Sequence, residues 1–279
     1  MPRRYRPLLL SLLFAGSTGC TEFPARDTRL FPDDRTVFFE GELETETVNS
    51  FLERVAELNP GDLERIVIRS GGGETRSART LGRWVHRMGL DVEVEKLCFS
   101  SCANYIFPAG NAKIIRADAF VGWHGSETQF DVIALSDPDR SGADLERQEL
   151  SEVLQESTEL LRRNGLSKAD FPRLLEEGLE TSRNSRQDEA AFFDELGIDK
   201  EFTLHGMRPL YLHELKSSGK KGWTFSLADM KRLGLSNVSY QGTTPYTQSA
   251  PVQANLIVIR YIPQEKSRTG TATGAAPAQ

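Results

Sequence analysis

Apolar positions along the chain change spacing several times, and each spacing predicts an element. Thr36-Val37-Phe38-Phe39 reads as a strand ending at Gly41. Val48, Phe51, Leu52, Val55 and Ala56 recur at helical spacing, and Asn59-Pro60-Gly61 stops that helix. Ile66-Val67-Ile68 is a short β-branched run, the pattern of a strand buried on both faces. It enters Ser70-Gly71-Gly72-Gly73, and Ala78, Leu81, Trp84, Val85 and Met88 then line one helix face up to Gly89. Leu90 to Glu95 alternates as a strand does. Residues 36–95 therefore predict β-α-β-α-β and a parallel sheet with right-handed crossovers. Cys98 to Ala109 reads as a turn and a short helix before Gly110, and Phe120 to Trp123 as a strand. Residues 125–147 are polar and read as a long exposed loop. Leu150, Val153, Leu154, Ser157, Leu160 and Leu161 mark a helix capped at Asn164-Gly165. Ser167 with Asp170 opens another, lined by Phe171, Leu174, Leu175 and Leu179, and a further helix ends at Leu196-Gly197. Ser226 to Leu233 is a short helix and Leu256 to Ile262 a last strand. Residues 264–279 have the composition of a disordered tail.

The first 35 residues belong to a different logic. Arg3, Arg4 and Arg6 precede an apolar run from Leu8 to Ala15, too short for a mature membrane span and suited to a signal peptide. Ser17-Thr18-Gly19-Cys20 resembles the lipobox of bacterial lipoproteins, with Ser17 where that motif usually carries Leu. The resemblance implies cleavage of residues 1–19, lipidation of Cys20, and a polar tether over 20–35. Thr21, rather than Asp, implies the outer membrane, on its periplasmic side. The expected domain then covers 36–263.

Composition narrows the rest. The 279 residues are 38% hydrophobic and 27% charged, with a mean hydropathy of -0.41, as in globular proteins. Net charge is -6, and cleavage would remove three arginines and take it to -9, which argues against a nucleic-acid partner. Three cysteines do not make a disulfide scaffold. With Cys20 lipidated, Cys98 and Cys102 either bridge or remain two small buried side chains; their spacing permits the bond without requiring it.

Three features carry chemistry. Gly71-Gly72-Gly73 sits at the carboxyl end of a strand and ahead of a helix, where backbone N–H groups approach ligands or simply make a tight turn. In Cys98-Phe99-Ser100-Ser101-Cys102-Ala103-Asn104, a serine at a strand-to-helix turn is either an exposed nucleophile or a helix cap. His124 ends the next apolar strand, as a general base or a buried histidine bonded to a carbonyl.

Together, from about Thr36 to Trp123, these features resemble the Clp protease proteolytic subunit and its crotonase-like relatives. Ser70-Gly71-Gly72-Gly73 matches that family's first motif with Gly71 in place of Pro. Ser101 precedes Ala109-Gly110 at the family spacing, and His124 lies within a couple of residues of the expected histidine. The resemblance implies an α/β fold with a ClpP/crotonase-like parallel sheet of repeated β-α-β units and a helical extension. It implies a serine peptidase without cofactor or metal, acting on peptide or protein substrates, and self-assembly into a homo-oligomer. Ser101 would be the nucleophile, His124 the base, and the backbone of Gly72, Gly73 and Cys102 the oxyanion hole. Ser100 is the alternative nucleophile, one residue away. The family's orienting Asp falls around Thr181 to Asn184, which holds no acid; Asn184 is the candidate, flanked by Glu180 and Asp188.

A non-catalytic binding or assembly module of the envelope is the rival reading, favoured by the missing acid. A crotonase acting on acyl-CoA thioesters is a third, although an exported protein would not meet that cofactor. His86 reads as a solvated side chain. His205 and His213 lack a third ligand for a metal, and Trp84, Trp123 and Trp223 read as core.

Overall fold

The computed structural model describes residues 30–31, 35–58, 62–137 and 139–263. The expected signal peptide, Cys20, most of the tether and the tail at 264–279 lie outside them. The fold is mixed α/β, built on a mostly parallel sheet. Strand β1 (Leu30–Phe31) pairs antiparallel with β2 (Thr36–Glu40), which leads into helix α1 (Thr45–Ala56). Next come β3 (Arg65–Ser70), α2 (Thr75–Met88) and β4 (Asp91–Phe99). β2, β3 and β4 are parallel neighbours, as the β-α-β-α-β pattern requires. Val37, Ile66, Ile68, Val92 and Val94 are fully buried, and Phe39 nearly so, which explains why these strands read as apolar runs.

β4 forks. Its first half pairs with β5 (Lys113–Ile115) and its second half with β6 (Phe120–Gly122), both parallel. At the fork the register steps from Ile68 opposite Val94 to Ser70 opposite Cys98, so β4 carries two extra residues there. Lys96 takes a left-handed φ of 63° within them. Such a bulge bends the strand and sends its end in a new direction.

Beyond β6 the chain departs from the expected loop at 125–147. It forms a short helix α3 (Gln129–Ile133), and α4 (Gly142–Glu156) starts eight residues before Leu150. Ser141 caps α4 in a reciprocal box with Asp144, a signal hidden in a polar stretch. Then follow α5 (Thr158–Arg163) and α6 (Phe171–Leu196), a single 26-residue helix where the sequence suggested two. Leu154, Leu161 and Leu174 form a small separate core for this arm.

The remaining elements are α7 (Pro209–Ser218), β7 (Gly222–Thr224), α8 (Leu227–Arg232), β8 (Val238–Tyr240), α9 (Ala250–Asn255) and β9 (Leu256–Val258). β8 closes the far edge against β5. β9 has three residues where seven were expected and pairs with β7 in a second, two-stranded sheet. Trp123 and Trp223 join the two sheets through a reciprocal pair of backbone hydrogen bonds of 2.9 and 2.8 Å. Both tryptophans are fully buried, and Trp84 packs edge-on against Phe51. No helix among the described residues is long and apolar enough to cross a membrane.

Candidate active site

The end of β4 is a sharp strand-to-helix turn. Phe99 is the last strand residue, and Ser101 already has helical backbone angles. Between them Ser100 sits at φ 58°, the left-handed region that side chains other than Gly seldom occupy. Its N–H donates to the carbonyl of Gly122 at the end of β6, and its carbonyl accepts from Asn104 N–H. The strained residue is therefore tied to the sheet on one side and to the helix on the other. The helix itself is wound loosely over Cys102–Ile106, with Phe107 N–H reaching back five residues to Cys102.

This turn points the Ser100 hydroxyl at His124. Ser100 Oγ and His124 Nε2 are 2.7 Å apart. The Ser101 hydroxyl faces elsewhere and donates to the carbonyl of Gly73 at 2.7 Å. The pair expected at Ser101 and His124 is thus formed by Ser100. The one-residue shift follows from the left-handed turn, which puts successive side chains on different sides of the backbone.

Gly72 makes room for this arrangement. It adopts φ 110°, and a methyl group built on it would lie 2.7 Å from Ser100 Cβ. Its N–H donates to Ser70 Oγ at 3.1 Å, so the Gly72 amide, expected in the oxyanion hole, is already engaged. Its carbonyl accepts from Leu43 N–H at 2.8 Å. Because a trans peptide points N–H and C=O in opposite directions, that bond turns the Gly73 N–H away from Leu43. The Ser101 N–H stands in the first turn of its helix, where backbone donors have no partner within the helix.

His124 is held by its neighbours in the chain. Trp123 is anchored to Trp223 through the backbone and to the Ala103 carbonyl through its indole N–H at 3.2 Å. Gly125 O accepts from Asn104 Nδ2 at 2.9 Å. The imidazole stacks on Phe99, with ring centroids 5.1 Å apart and planes 16° from parallel. Burial pushes the imidazole below its usual pKa. Among the described residues, no side chain hydrogen-bonds its second ring nitrogen. The sequence motif contained Phe99 and Asn104, but nothing in it announced that they would hold His124 and its neighbour Gly125.

Ser100, Ser101, Asn104 and His124 open onto a cavity of about 350 Å³, walled by Phe130 of α3, Leu150 of α4 and Ser185 of α6. Asn184 does not line it. That residue is exposed on a neighbouring cleft with Arg76, Arg79 and Arg83. Asp188 is bonded to Arg79 at 2.7 Å and to Arg83 at 2.9 Å, and Glu180 is exposed. The segment expected to orient His124 instead clamps α6 onto α2. Glu127 belongs to this clamp, accepting from Ser185 at 2.6 Å. Cys98 and Cys102 are joined in a disulfide. His205 is buried against the Arg260 carbonyl, while His86 and His213 are exposed.

No protein-family model and no curated protein matches the sequence. Among solved structures, ClpP1 from Listeria monocytogenes is similar to 52% of this chain over 79% of its own, at 17% identity and a TM-score of 0.29. A point mutant of the same protein gives 16% identity over 50% and 78%, with the same TM-score. Agreement this loose carries no argument, and the α/β assignment rests on the sheet topology described above.

Proposed function

We propose that this chain is a serine hydrolase that cleaves peptide bonds with a Ser100–His124 pair. The observation that carries the reading is the 2.7 Å contact between Ser100 Oγ and His124 Nε2 at a left-handed turn beside a cavity. A nucleophile and a base within hydrogen-bond reach, exposed at a sharp strand-to-helix turn, is the arrangement acyl transfer needs. Ser100 Oγ attacks the substrate carbonyl while His124 Nε2 takes its proton. The oxyanion is met by the N–H of Ser101 and the N–H of Gly73, so the hole moves one residue from Cys102, in step with the nucleophile. His124 then returns the proton to the leaving amine, and water hydrolyses the acyl-enzyme by the reverse path. Ser101 fixes the Gly73 carbonyl and is a positioning residue.

To accept the serine proton at Nε2, His124 must carry its own proton on Nδ1. In the Ser-His-Asp arrangement a carboxylate enforces that tautomer. Here stacking on Phe99 and the backbone anchors on either side hold the ring plane. The lack of a carboxylate favours a second reading, a binding module of the same fold. A fluorophosphonate probe separates the two: the enzyme reading expects one adduct, mapped by mass spectrometry to Ser100 and lost in Ser100→Ala. No adduct on the wild-type protein would leave the binding module standing. The N-terminal sequence supports lipid anchoring at Cys20, with the domain facing the periplasm. Metabolic labelling with a radioactive fatty acid, absent in Cys20→Ser, tests that part.

A further inference from the structure

The Ser100 turn lies inside a short ring closed by a disulfide. Cys98 and Cys102 are bonded, with their Cα atoms 5.2 Å apart, and Phe99, Ser100 and Ser101 are the only residues between them. We infer that the Cys98–Cys102 disulfide is a positioning element for the nucleophile, and that Ser100 reacts at full rate only while the bond is intact. This deepens the hydrolase reading and rests on it.

Three observations support the assignment. The first is the placement of the two ends. Cys98 is locked in the middle of the sheet, opposite Ser70 on one side and Val121 on the other. Cys102 opens the helix, and its carbonyl accepts the first long-range turn bond from Phe107. The bond therefore ties a fixed strand to a helix whose own winding is loose. The second is the strain between them. Ser100 carries a Cβ at φ 58°, and such a conformation persists only where the surroundings over-determine it. Gly72 leaves room for it, since a methyl group there would lie 2.7 Å from Ser100 Cβ, and the disulfide ties the residues on either side of the turn. The third is economy of effect. A ring this short restricts the unfolded chain less than a long one does, so the bond is poorly placed to serve mainly as a global staple. Both cysteines are fully buried, which keeps the bond from casual exchange.

Without the bond, Ser100 is free to relax toward ordinary backbone angles, and its hydroxyl leaves the His124 nitrogen. An ångström of misplacement costs about a hundredfold in rate. The cavity walls at Phe130 and Leu150 lie outside the ring, so binding there is expected to stay as it was.

The test measures fluorophosphonate acylation as a maximal rate and a half-saturating probe concentration, on the full chain. The double variant Cys98→Ala/Cys102→Ala is expected to lose about a hundredfold in maximal rate, with the half-saturating concentration unchanged and the far-ultraviolet circular dichroism retained. Wild-type rate in that folded variant overturns the inference while leaving the hydrolase reading in place. Should the variant fail to fold, the wild-type protein is treated with a dithiol reductant. Each bond then takes two electrons and two protons to give two thiols, and the reductant leaves as its cyclic disulfide. Acylation is expected to fall in proportion to the thiols counted by maleimide mass shift, and to return on oxidation with diamide. Acylation independent of the thiol count overturns the inference. No acylation of the oxidised wild-type protein overturns the hydrolase reading, and this inference with it.

Discussion

The turn at the end of β4 and the helical arm over residues 142–196 border the same cavity, yet they are held in different ways. Around the turn, the constraints are short: a disulfide, a glycine with no space for a methyl group, and backbone bonds to β6 and to the following helix. The arm rests on a small leucine core and on ion pairs reaching across to α2, of which only Arg79 is fully enclosed, and it enters the main core only at its end, through Phe192 and Phe193. Its outer face carries exposed pairs such as Glu159 with Arg162 and Arg163. The difference teaches where precision resides. Ser100 and His124 are fixed by backbone geometry at the sheet's end, and the arm supplies a wall.

That contrast predicts a graded series. Ser100→Ala removes the attacking atom and should cut hydrolysis by roughly 10⁴- to 10⁶-fold, measured on a chromogenic peptide, with the melting temperature unchanged. Gly72→Ala forces a methyl group against Ser100 Cβ at an unfavourable φ. It should cost about 3 kcal/mol of stability in urea melts, and it should also abolish acylation. Leu161→Ala opens the arm's core and should cost about 2 kcal/mol, with the acylation rate held within threefold. An equal loss of rate in Leu161→Ala and Gly72→Ala would erase the distinction between the two regions.

Two smaller effects sharpen it. The His124 base must be neutral to act, and burial lowers its pKa. The acidic limb of the acylation profile should therefore have its midpoint below about 6.5, the ordinary histidine value. A midpoint above that value would mean a charged partner holds the ring. Glu159→Ala, on the arm's exposed face, should leave the midpoint of the urea melt unchanged. Asn184→Ala, on the neighbouring cleft, should leave the acylation rate unchanged.

The same contrast explains what the sequence disclosed. β2, α1, β3, α2 and β4 were readable because they are long enough to repeat a period and are buried by one face or two. β5, β7 and β8 have three residues each and lack the apolar runs that extend past β6 and β9 and made those two equally short strands readable. α3 and the start of α4 were hidden in a polar stretch, because that part of the arm keeps most of its surface in water. At the site, the glycines, a serine and His124 could be picked out by type and order. The choice between Ser100 and Ser101 could not, since it turns on a single backbone torsion that neither residue type announces. The role expected of Asn184 failed for another reason. The helix that carries it is one continuous rod held by Arg79 and Arg83, and it delivers Ser185 to the cavity while Asn184 faces the next cleft.

The paired tryptophans have a consequence for how the chain could be silenced. Trp123, the residue before the base, is seated on Trp223, one hundred positions later, through hydrogen bonds in both directions. A protease cut ahead of Gly222 would spare every side chain that touches the cavity and still unseat the imidazole. The stretch from Gly222 to residue 263 thus works as a keystone, and its loss would disarm a centre it never enters.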